Sequence, residues 1–328
     1  MSYAPQLLEL KGCGARIAGT IIGETGGAGM PPSTTRSSFG PIANNVTAVP
    51  EVLRYAAFTE DPTAGNPAGV VFDAGSLHAA EMLATAAEVG YSETAFVTAD
   101  DGDGNLVVRY FSPEDEVAFC GHATIAAAVA HAQRHGLERL RLTTAAGLVE
   151  VEVRDSEPGL VATLTSVAPH TTAVGEDDLA EALAALQWSA ADLDPALPSR
   201  VAYAGAQHLV LAAATPERLA ILAYDFDRLL ALMTRRDWTT LQLVYRAEPA
   251  VFRARNPFPP GGIVEDPATG AAAAAFGGYL RELGLIEPPA RITVHQGAEL
   301  GRPGVLVVDI PAGSNTGIRV SGSAVAIL

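Results

Sequence analysis

Only two cysteines, Cys13 and Cys120, occur in 328 residues. That excludes a disulfide framework and a cysteine-rich zinc site, and it fits a reducing compartment. Basic residues are scarce as well: 21 Lys and Arg stand against 37 Asp and Glu, a net charge of −16. With no basic stripe, the sequence has nothing to set against a phosphate backbone or an anionic bilayer. Neither nucleic acid nor membrane is an expected partner. No apolar run reaches membrane-span length, and the start MSYAPQLLELKGCG lacks the basic and apolar blocks of a secretory signal. The expectation is a cytoplasmic protein that meets a small molecule. What the chain has in quantity is apolar residues, 48%, ample for one large core or two modest ones, and at this length two domains is the better expectation.

From about residue 53 the sequence repeats itself. CGHATIAAAVAHAQRHGL (120–137) matches EDPATGAAAAAFGGYLRELGL (265–285): a polar entry, Ala-Thr, an Ala-rich helix, then Gly-Leu. A strand pair around a Gly-bearing turn follows each, RLRLTTAAGLVEVEV and RITVHQGAELGRPGVLVVDI. Upstream, RYAAFTEDPTAGNPAGVVFDAG and RVAYAGAQHLVLAAAT each read strand, loop, strand. Amphipathic helices come next, LHAAEMLATAAEVG and PERLAILAYDFDRLLALM, and then hairpins. The repeat predicts an α+β fold of two pseudo-symmetric lobes, 53–170 and 171–328, each a curved, barrel-like sheet around a central small-residue helix. The last strand is free to return to the first lobe. Residues 1–52 stand outside the repeat as a Gly, Pro and Ser-rich, partly flexible extension. GCGARIAG within it lacks the G-x-G-x-x-G spacing of a dinucleotide loop.

The small residues of GGIVEDPATGAAAAAFGGYL (261–280) cost helix stability at each Gly and offer little side chain to bury, so this helix is expected to be enclosed on all sides. Because the Ala-Thr entries read as equivalent in the two lobes, pseudo-symmetry is expected to bring both helix N-termini to one cleft. Unpaired N–H groups and two dipole ends there favour a carboxylate or phosphate. Asp266 then has two compatible readings: a cap ahead of Pro267 at the first helical position, or a wall of that anion site.

FTEDPTAGNPAGVVFDA, YSETAFV, FSPEDEVAFCGHATIAAA and GIVEDPATGAAAAA, in this order from about residue 53 to the C-terminus, together resemble the phenazine-biosynthesis PhzF-like isomerase family. The resemblance implies the diaminopimelate epimerase-like fold with the active site between its lobes, and proton transfer without a cofactor or metal. It places the family's catalytic glutamate on Glu93, its Gly-His pair on Gly121 and His122, and its Asp-Pro-Ala-Thr-Gly aspartate on Asp266. Ala271 stands where many members carry Ser, which removes a hydroxyl donor. Cys120 sits near the first catalytic cysteine of the diaminopimelate epimerases but Asp266 near the second, so a two-thiol racemase mechanism is not available.

Taken singly, a carboxylate such as Glu93 at a strand head is often merely solvated, and a lone His122 in a first helical turn is often structural. Between two lobes, partly shielded from water, a carboxylate can instead shuttle a proton. The candidate catalytic residues are therefore Glu93, His122 and Asp266. Candidate substrate-binding residues are Asn66, Gly121, Thr124, Thr269, Gly270 and Ala271. Cys120 reads as a small buried thiol, since with His122 it makes too few ligands for zinc. The reading is an isomerase or epimerase moving a carbon-bound proton on a small carboxylate-bearing substrate. Its rival is a non-catalytic binding or regulatory protein on the same fold. Sheet edges and the resemblance alike predict a homodimer.

Overall fold

The structure, a computed structural model, describes residues 51–136, 139–157 and 159–328. The expectations for Cys13, GCGARIAG and nearly all of the N-terminal extension lie outside the described residues.

The first lobe runs β1 (Leu53–Ala57), β2 (Asn66–Val71), α1 (Ala79–Val89), β3 (Glu93–Asp100), β4 (Asn105–Phe111), β5 (Glu116–Val117), α2 (Gly121–His135), β6 (Arg139–Thr144), β7 (Gly147–Asp155) and β8 (Leu160–Thr165). The second runs β9 (His170–Ala173), α3 (Glu176–Leu186), β10 (Arg200–Tyr203), β11 (Gln207–Ala212), α4 (Pro216–Ala220), α5 (Phe226–Arg236), β12 (Thr240–Glu248), β13 (Val251–Phe258), β14 (Ile263–Asp266), α6 (Gly270–Glu282), β15 (Ala290–Gln296) and β16 (Gly304–Ile310). The last strand, β17 (Arg319–Ala326), closes the chain.

Strand pairing displays the repeat directly. In the first lobe β2 and β3, then β4 and β6, pair in parallel, and β3–β4 and β6–β7 are antiparallel hairpins. In the second, β11–β12 and β13–β15 are parallel, with hairpins β12–β13 and β15–β16. The returning β17 pairs with both β1 and β8. It thereby closes β1-β2-β3-β4-β6-β7-β8-β17 into a barrel without an edge. The second sheet, β9-β10-β11-β12-β13-β15-β16, is curved in the same way, and β16 meets β17 at one end.

Each sheet wraps one small-residue helix. Every side chain of α2 from His122 to Ala132 is buried, as are Gly270 and the run from Ala272 to Leu280 in α6. The reason for a glycine in α6 is visible at Gly278, where a Cβ would collide with the Pro169 ring. The helix is enclosed as its composition predicts.

Two expectations need correction. The single amphipathic helix over PERLAILAYDFDRLLALM is two helices, because Ile221 leaves helical geometry and Asp225 starts a new helix by accepting the Arg228 N–H at 3.0 Å. The Ala-Thr entries are not equivalent either. The first helical bond of α2 runs from Thr124 N–H to the Cys120 carbonyl, and that of α6 from Ala273 N–H to the Thr269 carbonyl. Counted from those bonds, Gly121 matches Gly270 and His122 matches Ala271, while Ala123-Thr124 lies about one turn further in than Ala268-Thr269. Repeated small residues allow such slippage, and hydrogen bonding removes it.

Candidate active site

The two helix entries do meet. A Cβ on Gly121 would lie 3.7 Å from the Ala271 backbone nitrogen and 3.8 Å from the Gly270 Cα. The first-turn amides of both helices, which lack intrahelical acceptors, therefore gather at one place. Gly121 itself is half-buried, and so is Ala271.

Glu93 is brought here as the first residue of β3, in parallel register with Ala68, after Gly90 in left-handed conformation ends α1. Its carboxylate is buried. Cys120, the residue before α2, donates its S–H to Glu93 Oε2 at 3.5 Å, and the sulfur lies 3.3 Å from His122 Nδ1. His122 Nε2 is 3.4 Å from the same Oε2 and 3.3 Å from the Ser92 hydroxyl. Carboxylate, thiol and imidazole thus form one buried cluster on the first lobe. Burial and the neighbouring Glu93 charge push the Cys120 thiol well up from its ordinary value. That disfavours a thiolate nucleophile in the metal-free site; Glu93, Cys120 and His122 are close enough together to offer three ligand atoms.

Asp266 faces this cluster from the end of β14. Its Oδ1 accepts from Asn66 Nδ2 at 2.8 Å and its Oδ2 from the Thr269 hydroxyl at 2.5 Å. Its pKa is raised to about 6: burial is the main cause, His122 pulls it down, and the Glu93 charge pushes it up. The capping reading of Asp266 is corrected here. The N-cap of α6 is Thr269, three residues on, and the carboxylate orients side chains instead of helix N–H groups.

The remaining sequence candidates divide. Asn66 is buried, donates also to the Ala268 carbonyl at 3.0 Å, and leaves its Oδ1 without a partner. Thr269 lies within the Asp266 network. Thr124 does not open to the cleft: its hydroxyl donates to the Cys120 carbonyl at 2.7 Å and meets the Tyr110 hydroxyl at 2.6 Å, both inside the barrel. It fixes the start of α2.

Sequence reasoning missed two supporting residues in HQGAELGRPG. Gln296 Nε2 donates to the Asp266 carbonyl at 2.8 Å and to the Thr269 hydroxyl at 2.9 Å, while its Oε1 accepts the Thr269 N–H at 3.2 Å. Next to it Gly297 has φ +84, and a Cβ there would strike the Pro267 carbonyl oxygen at 2.5 Å. Only glycine allows this hairpin to lie against the Asp-Pro segment. Arg302 reaches across to the first lobe, donating to the carbonyls of Gly65 at 2.9 Å and Ala64 at 2.8 Å, which holds the loop carrying Asn66. These partners are some 30 and 237 residues apart in sequence. The one local signal was an unusual density of Gln, Gly, Arg and Pro in a hairpin turn.

The assembled site has the Glu93 carboxylate, a second carboxyl on Asp266 with its pKa raised to about 6, the His122 imidazole, and first-turn amides of two helices. It is equipped to hold a carboxylate and to move a proton beside it. No helix among the described residues is long and apolar enough to cross a membrane.

The chain is similar to known proteins over nearly all of its described length. The chain is 32% identical over 287 residues to the uncharacterized isomerase YddE of Escherichia coli, covering 85% of this chain and 96% of that protein. It is 31% identical over 272 residues to the trans-2,3-dihydro-3-hydroxyanthranilate isomerase of Pseudomonas fluorescens, covering 82% and 94%. Among solved structures, a "predicted epimerase" of Pseudomonas aeruginosa superposes with a TM-score of 0.76 at 26% identity, over 85% of this chain and 97% of that one. The family description of phenazine biosynthesis-like proteins matches residues 55–328, nearly the whole two-lobed unit, and the chain belongs to that family.

Proposed function

We propose that the protein is a cofactor-independent isomerase that moves a carbon-bound proton on a small carboxylate-bearing substrate, with Glu93 as the proton carrier. The observation that carries this reading is the buried Glu93 carboxylate, held by Cys120 and His122 at the junction of two helix entries. Amides at Gly121, Gly270 and Ala271 hold the substrate carboxylate. Glu93 takes a proton from a carbon conjugated to it, the electron pair passes toward the carboxylate, and those amides stabilise the enolate-like charge. Glu93, now a carboxylic acid, returns the proton to another carbon as the electron pair moves back. Asp266 and His122 orient the cluster, and Asn66 Oδ1 accepts an N–H or O–H from the substrate.

Both oxygens of Asp266 are engaged by Asn66 and Thr269, which supports a single base working from one face. That favours a double-bond shift over epimerisation, which needs an acid on the opposite face. A cyclic amino or hydroxy acid is the first substrate class to try, given what the Pseudomonas fluorescens relative isomerises. The reading includes a cytoplasmic homodimer, supported by the sheet edge at β9, which pairs with β10 on one side. Light scattering at micromolar concentration should give the dimer mass.

The test is solvent deuterium exchange into candidate acids. Wild type should place deuterium on carbon, and Glu93→Gln should bind the acid while losing at least ~10²-fold in kcat. Binding without exchange by the wild type, across acids it demonstrably binds, would instead support a non-catalytic binding protein. The Ala271 side chain, which brings no hydroxyl, is the feature that keeps this second outcome in the experiment.

A further inference from the structure

At the far end of α2, away from the cleft, lies a second cluster. His131 and His135 are four residues apart on one face, with ring centroids 4.4 Å apart and planes within 29° of parallel. Asp100, the last residue of β3, faces them, and its Oδ2 is 2.9 Å from His131 Nε2. One ligand atom from each of the three lies within 4.8 Å of the others. At 1.5 Å per residue, this group is some 15–20 Å along the helix from Gly121, so it is separate from the Glu93 cluster.

The cluster has features of a built site. His131 is wholly buried, and its Nε2 is the ring nitrogen turned toward Asp100. Asp100 is fixed from behind, because the Gly102 N–H donates to its Oδ1 at 2.9 Å. The Arg134 guanidinium is engaged by other groups: it lies over the Phe72 ring, 4.5 Å from its centroid, and 3.7 Å from Glu51. A cavity of about 530 Å³ adjoins the cluster, lined by Phe72, Asp73, Asp100, Arg134 and His135 among others. It leaves room for water to complete a coordination shell.

We propose that Asp100, His131 and His135 form a binding site for one divalent transition metal ion of the imidazole-preferring kind, Zn²⁺ being the representative. Two imidazoles and a carboxylate suit such an ion. Metal–ligand bonds of about 2.0–2.1 Å set neighbouring ligand atoms roughly 3.3 Å apart, within reach of small side-chain rotations from the observed spacing. The ion would clamp the C-terminal turn of α2 to the end of β3, a tie with no counterpart in the second lobe among the described residues. His135 and Asp100 are partly open to solvent, giving an entry path, whereas the thiol-bearing cluster in the cleft is buried.

The experiment is calorimetric titration of Zn²⁺ into tag-free, chelator-treated full-length protein, followed by thermal melting. Wild type should take up about one equivalent and melt at a higher temperature in its presence. His135→Ala and Asp100→Asn should each weaken binding by at least ~10-fold and abolish the metal-dependent melting shift. Cys120→Ala should retain the equivalent, because it alters only the catalytic cluster. Metal-free melting of the His135 variant at the wild-type temperature would show that the exposed substitution leaves folding intact. No saturable uptake by wild type would overturn the proposal, as would unchanged affinity in His135→Ala or loss of the equivalent in Cys120→Ala.

Discussion

One ion pair is built twice. In the first lobe Arg109 on β4 holds Glu116 on β5 through two bonds, of 2.7 and 2.6 Å. In the second, Arg255 on β13 holds Glu265 on β14 in the same way, and β-sheet register makes the pairs equivalent: Arg109 faces Phe96 as Arg255 faces Leu243. The first pair is about one-third exposed, whereas the second is 8% and 1% exposed. The same duplication has diverged at the site. Glu93 opens β3, while Thr240, its counterpart opening β12, hydrogen-bonds His208 and Asn256. His122 follows Gly121, and Ala271 follows Gly270. The first lobe carries Glu93, Cys120 and His122, and the second carries Asp266 with the Thr269 and Gln296 side chains around it. Duplication supplied two similar lobes, and local substitution gave their equivalent positions different side chains.

The largest effect should come from breaking the enclosed pair. Arg255 also donates to the Ala220 carbonyl at 2.7 Å, so Arg255→Met strands a buried Glu265 and a carbonyl together. A loss of about 3–5 kcal/mol is expected in denaturant unfolding, most of it the cost of an unpaired buried charge. A loss below about 1 kcal/mol, the range of an exposed pair, would mean that the two pairs are energetically alike despite their different burial.

Asp266→Asn should separate function from stability. Asparagine keeps the shape, and its amide can still meet Asn66 and Thr269, but the charge beside His122 is gone. Turnover should fall by about tenfold or more, or about 1.4 kcal/mol. Stability should move the other way. With a folded pKa of about 6 against an ordinary 3.8, the folded state holds a proton that the unfolded state has released. The wild type therefore loses stability as pH rises from about 4 to 6, by up to about 3 kcal/mol. The Asp266→Asn variant would lack that loss. It should match or exceed wild type at pH 8, and its advantage should disappear below pH 4. A variant less stable at pH 8 than at pH 4, relative to wild type, would remove the raised carboxyl from the account.

These contrasts mark what the sequence could tell. Hairpin patterns and the Ala-rich helices disclosed two lobes, because strand alternation and small-residue composition are local. Glu93, His122 and Asp266 were legible through their motifs, and the structure gathers all three. The helix register was not legible, since a run of alanines has no internal landmark and only the first hydrogen bonds set it. The four short or crossing strands β5, β8, β9 and β14, and helix α3, had no counterpart in the repeat as read. Gln296 and Arg302 support the site from distant turns, and distance in the chain conceals such contacts. The placement of the Thr124 hydroxyl inside the barrel has a related cause: a hydroxyl in the first turn of a helix faces inward or outward according to a register that composition leaves open.

The smallest effect should come from the exposed copy of the ion pair, and it is the sharper test of the comparison. Arg109 also lies over the Phe111 ring, 5.1 Å from its centroid, so removing the arginine alone would confound charge with packing. A double-mutant cycle of Arg109→Met and Glu116→Gln isolates the pair. Two-point contact is better geometry than most surface pairs offer, yet solvent screens both ends, so a coupling of about 0.2–1 kcal/mol is expected, shrinking at about 1 M salt. The corresponding Arg255→Met and Glu265→Gln cycle should give a coupling at least twice as large and nearly insensitive to salt, because bulk ions do not reach a pair that is almost fully enclosed. Equal couplings with equal salt dependence would mean that burial does not distinguish the two copies, and the contrast between an exposed and an enclosed pair would lose its energetic basis.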